Sequence, residues 1–79
     1  MTLLDHLKKL GFTQTDSEGC YDLRNVRVCI WSYGTHETEL IKFMPTKSKL
    51  MDWKAAFSRS APLPVILAAI TTAIEDDKQ

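Results

Sequence analysis

The sequence predicts an α+β domain of order αβββββα: an antiparallel meander sheet with an N-terminal and a C-terminal helix packed on one face. Three observations carry this. A capped amphipathic stretch opens the chain, a middle region alternates polar and apolar residues between turn signals, and an apolar helical stripe follows two closely spaced prolines.

Residues 2–10 read as the first helix. Thr2 and Asp5 form a capping box, with Asp in place of the usual Glu. Leu3, Leu7 and Leu10 recur at helical spacing with Leu4 beside them, Lys8 and Lys9 suit the negative end of the dipole, and Gly11 suits the C′ position.

The middle is read by assuming hairpins and asking whether their registers agree. With Arg24-Asn25 as a two-residue turn, Leu23 faces Val26, Asp22 faces Arg27, Tyr21 faces Val28 and Cys20 faces Cys29. With residues 16–19 as the preceding loop, Phe12 falls opposite Leu23 and Gln14 opposite Tyr21. A loop at residues 34–37 pairs Ile30 with Ile41 and Val28 with Phe43. A loop at residues 45–49 then brings Phe43 to Met51, Lys42 to Asp52 and Ile41 to Trp53. One inward face runs through all four hairpins, with opposite charges paired across strands.

Met51, Trp53, Ala55 and Phe57 alternate with Asp52, Lys54, Ala56 and Ser58, which favours a last strand over 50–58. A helix remains open there, since Leu50, Trp53 and Phe57 also stand at i, i+3 and i+7. Pro62 and Pro64 fit a first helical turn, where no intrahelical N–H is lost. Ile66, Ile70, Ala73 and Ile74, with Val65 and Ala69, form the stripe of a closing helix over 62–76. Residues 1–79 make a single domain, with no repeat or linker.

Composition bounds the function. With 44% apolar and 25% charged residues and ten cations balancing ten anions, the chain is ordinary for a soluble globular protein. Five cations (Lys42, Lys47, Lys49, Lys54, Arg59) against Asp52 alone do concentrate in the stretch 42–59, and Glu75, Asp76 and Asp77 form an acidic end. No secretory signal is visible. The apolar run 63–74 falls short of the ~18 residues that span a bilayer, so the expectation is a cytoplasmic protein without a membrane segment.

Little points to catalysis. Cys20, Cys29, His6 and His36 lack metal-ligand spacing, so no metal or cofactor is expected. Across the hairpin, Cys20 and Cys29 would be a non-hydrogen-bonded pair, where a disulfide is geometrically possible but would not persist in the cytoplasm. A Cys29/His36 dyad has no third group to orient it, Glu37 and Glu39 look like a solvated edge, and no glycine-rich phosphate loop occurs. The core leaves no obvious room for a small-molecule substrate. No enzyme activity is expected.

The second sheet face remains. The registers place Arg27, Cys29, Trp31 and Tyr33 outward on one strand, and Leu40, Lys42 and Met44 outward on the next, with Leu40 opposite Trp31. Uncovered, this is an aromatic and apolar patch fringed by charge, and its residues Arg27, Trp31, Tyr33, Leu40, Lys42 and Met44 are candidates for a protein partner or a second copy of the chain. The alternative is single-stranded nucleic acid, stacked on Trp31 and Tyr33 with the cations of 42–59 on its phosphates. Equally open is that the C-terminal helix or a loop covers the patch, or that Trp31 packs sideways at the edge.

The corner WKAAFSRSAPLPVILAAI, residues 53–70, resembles the C-terminal signature of small proteins carried by bacteriophages, plasmids and other mobile elements. There a W-x-A-x-F-S strand leads into an apolar helix begun by T/S-x-P or A-P. Trp53, Ala55 or Ala56, Phe57, Ser58, Pro62, Val65 and Ile66 carry the likeness, over about a quarter of the chain. It implies a compact accessory protein of a mobile element that acts by binding.

Overall fold

In the computed structural model the chain runs α1 (Leu3–Leu10), β1 (Thr13–Gln14), β2 (Cys20–Leu23), β3 (Val26–Ile30), β4 (His36–Phe43), β5 (Met51–Ser58) and α2 (Leu63–Asp77). The structure describes residues 2–31, 36–45 and 50–78, leaving aside the side chains of 36 and 37. The strands form one antiparallel sheet in chain order. Both helices pack on the same face, where Leu7 of α1 and Ile66, Ile70, Ala73 and Ile74 of α2 meet Phe12, Val26, Val28 and Leu40. Burying this one apolar layer is what two helices on one face of a meander achieve.

The local signals act as expected at both ends of α1. The Thr2 hydroxyl accepts from the Asp5 amide at 3.3 Å, and the Asp5 carboxylate accepts from the Thr2 amide at 2.9 Å, closing the capping box. Gly11, at φ 103°, ends the helix, with its amide on the Lys8 carbonyl and that of Phe12 on Leu7. The β2–β3 hairpin has the expected register throughout, from Leu23–Val26 at the turn to Cys20–Cys29. Gln14 pairs with Tyr21 as expected. Residues 51–58 are a strand, which settles the choice between strand and helix, and Trp53, Ala55 and Phe57 are its less exposed positions. In α2 the stripe is Ile66, Ile70, Ala73 and Ile74, as expected, but Val65 is 52% exposed.

The β3–β4 pairing differs from the expected one. Val28 lies opposite Leu40, Ile30 opposite Thr38 and Val26 opposite Lys42, a slip of three residues. An odd slip turns every side chain of a strand to the other face. Thr38, Leu40 and Lys42 therefore point into the core, and Glu39, Ile41 and Phe43 point away from it. Phe43 still pairs with Met51, but Asp52 is bulged out and Lys42 pairs with Trp53. Trp53, Ala55 and Phe57 therefore keep their expected inward face, whereas Met51, expected inward, turns outward with Phe43.

The reason for the slip lies at the far end of the chain. Turned inward, the Lys42 ammonium is 3.6 Å from the Asp77 carboxylate and 3.8 Å from that of Asp76, and donates to the Phe43 carbonyl at 3.0 Å. Asp77 also accepts from Asn25 Nδ2 at 3.0 Å and lies 3.5 Å from Arg24 Nε. The Lys42 and Asp77 side chains are 4% and 2% exposed. The last turn of α2 carries no basic residue, so its two aspartates face the negative end of their own helix dipole. Lys42 and the β2–β3 turn supply the compensating charge. Burial pushes the Asp77 carboxyl up, but the Asn25 hydrogen bonds with the Lys42 and Arg24 charges outweigh it and hold the group below the ordinary carboxylate value.

Candidate interaction surfaces

Among the described residues, no helix covers the other face of the sheet. Alternation places Asp22 and Cys20 on it from β2, Arg27 and Cys29 from β3, and Glu39, Ile41 and Phe43 from β4. Met51, Lys54 and Ala56 continue it across β5. The Arg27 guanidinium grips Asp22 with two hydrogen bonds, 2.7 Å and 3.0 Å long, and lies 5.2 Å from the centre of the Phe43 ring. These bonds hold the arginine charged above its ordinary pKa. Ile41 and Phe43 are half-buried, and Met51 is 55% exposed. The surface mixes the apolar Ile41, Phe43 and Met51 with the charged Glu39 and Lys54 and the fixed Arg27–Asp22 ion pair.

Cys20 and Cys29 are free, buried, and directly opposite each other on this face. Ile30 donates to Gly19, which makes Cys20–Cys29 a non-hydrogen-bonded pair, as expected. Burial, then the hydrogen bond with Cys20, pushes the Cys29 thiol up to about 12. A thiol so protonated at neutral pH is poorly suited to nucleophilic attack or metal ligation. Among the described residues, no three His, Cys, Asp or Glu side chains stand together as a metal-binding group. Among the described residues, no helix is long and apolar enough to cross a membrane.

The expected binding residues do not form one patch. Leu40, expected outward, is completely buried, and Lys42, expected outward, is 3% exposed and tied to Asp77; both corrections follow from the slip of β4. Arg27 does lie outward. Trp31, just past β3 and 39% exposed, is not opposite Leu40 but lines an open groove of about 740 Å³ with Leu3, Leu4, Gln14, Tyr21 and Ile30. Met44 is 40% exposed at the end of β4. Tyr33, Lys47 and Lys49 lie outside the described residues, as do the side chains of His36 and Glu37 invoked in the dyad and edge readings. Ile41, Phe43 and Met51, assigned to the core by the sequence pattern, take outward positions, the first two half-buried and Met51 exposed. Their signal was ambiguous, because residues 38–43 carry apolar groups at both parities.

The outer edge of the sheet is formed by β5, eight residues long, whereas β1 at the other edge has two. The half-buried Trp53 and Phe57 flank Ala55 on its helix-bearing side, beyond α2, which rests on β3 and β4. Comparison with protein-family models, with curated proteins and with solved structures finds no match to this chain.

Proposed function

We propose that this chain is a small protein-interaction module, an accessory protein of a phage or other mobile element, that acts by binding rather than by catalysis. The observation that carries the reading is the uncovered sheet face, where Ile41, Phe43 and Met51 lie beside the Arg27–Asp22 pair with no second layer among the described residues. Apolar anchors around one oriented charge are the make-up of a protein-binding patch. The patch differs from the one expected around Trp31 and Leu40. Single-stranded nucleic acid is less favoured, because Lys42 spends its charge on Asp77 inside the domain.

The test is a binding isotherm with a purified partner, first captured from an extract of the source cells, using wild type and Ile41→Thr/Met51→Ser. The variant should lose at least about tenfold in affinity while keeping its far-ultraviolet circular dichroism. Undiminished affinity would remove the face from consideration. A labelled oligonucleotide titrated at low salt, where electrostatic binding is strongest, should give a flat curve.

A further inference from the structure

We propose that two copies of this chain pair antiparallel along β5, about a two-fold axis at Ala55, to form one ten-stranded sheet. This goes beyond the binding role above, since it uses the sheet edge and not the uncovered face. The direction of the free backbone groups follows from the ladder. Phe43 donates to Asn25 and Met44 to Leu50, each at 2.8 Å, so residues 38, 40, 42 and 44 of β4 bond toward β5. Their partners Trp53, Ala55 and Phe57 turn their backbone groups inward to β4. Lys54 and Ala56 turn theirs out, where no described residue meets them. The two register irregularities lie near the ends of β5, leaving 53–57 regular.

The register is chosen by side chains. An axis at Lys54 sets two ammonium groups directly opposite one another, which is unfavourable. An axis at Ala56 sets Trp53 against Arg59, past the end of the strand. An axis at Ala55 sets Lys54 opposite Ala56 in the hydrogen-bonded pairs, and Trp53 opposite Phe57 twice in the closer non-hydrogen-bonded ones. These aromatics are only half-buried within one copy. On the other face the same register sets each Lys54 against the small Ala56 of the other copy and so keeps the two ammonium groups from facing each other directly. The edge is thus self-complementary in register and shape, and the occupant it fits is a second copy of itself.

Sedimentation equilibrium from micromolar to millimolar concentration tests this, with five proteins. Wild type should be a reversible dimer. Ala56→Lys, which sets lysine 56 of each copy against Lys54 of the other, should weaken it about tenfold, and adding Lys54→Glu should restore it. Ala56→Pro removes only an outward N–H, so it should be a folded monomer. If circular dichroism shows that variant unfolded, the charge pair decides alone. A wild type monomeric at millimolar concentration overturns the proposal and leaves the protein-binding reading standing. A dimer indifferent to Ala56→Lys but broken by Ile41→Thr/Met51→Ser also overturns it, and moves self-association to the uncovered face.

Discussion

Replacing Lys42 by Met keeps the length of the side chain and deletes its ammonium from a site that is 4% exposed. The Asp77 carboxylate then stays buried with Asn25 at 3.0 Å and Arg24 at 3.5 Å as its remaining support. Stripping one member from a buried ion pair costs about 3–5 kcal/mol. The surviving hydrogen bond offsets some of that, and about 2–4 kcal/mol is expected here. A chain of 79 residues has roughly 4–12 kcal/mol of total stability, so a large share is at stake. Urea denaturation measures the loss, and Tm should fall by about 10–25 °C. Asp77→Asn should cost a comparable amount. The double variant should lose about 1.5–3 kcal/mol less than the sum of the two, since it leaves no orphaned charge. A Lys42→Met protein within about 0.5 kcal/mol of wild type, the range of a surface substitution, would refute the inward placement of Lys42.

Leu40→Ala, at a completely buried position, should cost about 2–5 kcal/mol, and Ile41→Ala distinctly less; the reverse order by denaturation would restore the Ile41-inward register. Gly19 has φ +81°, and an added Cβ would lie 2.6 Å from the Ile30 carbonyl oxygen, so Gly19→Ala should lower stability by about 1–3 kcal/mol with no core contact removed. Because the folded pKa of Asp77 is depressed, its contribution is present above the unfolded value near 3.8 and is lost as pH falls through the folded one; acid titration of wild type against Asp77→Asn should show a flatter acid limb in the variant. Cys29 titrates near 12 in the fold against an ordinary 9, so its contribution is present below about pH 9 and lost toward 12; a thiol reagent at neutral pH should label Cys20 and Cys29 only after denaturant is added.

Much of the fold was legible because several of its signals are local. The capping box of α1, the Arg24-Asn25 turn with its register, and the α2 stripe each follow from residues within a few positions of one another. The candidate site was less legible, for a definite reason. Along 38–43, one parity carries Thr, Leu and Lys and the other Glu, Ile and Phe. Hydrophobicity alone turns Ile41 and Phe43 inward. What reverses the choice is a charge contact between Lys42 and Asp77, far apart in sequence, which no period-two pattern records. The acidic end, which the sequence marks only by its charge, is half clamp: Asp77 is buried and Asp76 is not. The faces of Trp53, Ala55 and Phe57 were anticipated correctly only because the bulge at Asp52 cancels the slip, and that of Met51, on the other side of the bulge, was not.

The clamp at Asp77 also orders events in time. The hairpins close through short loops and can form early, whereas Asn25 reaches Asp77 across 52 positions. Until α2 docks, the Lys42 ammonium has no buried partner, and the competing register with Ile41 and Phe43 inward is the better hydrophobic choice for the bare meander. The native face of β4 therefore depends on the last helix: what tells the two sides of the meander apart is a contact made with α2 and not one made within the sheet.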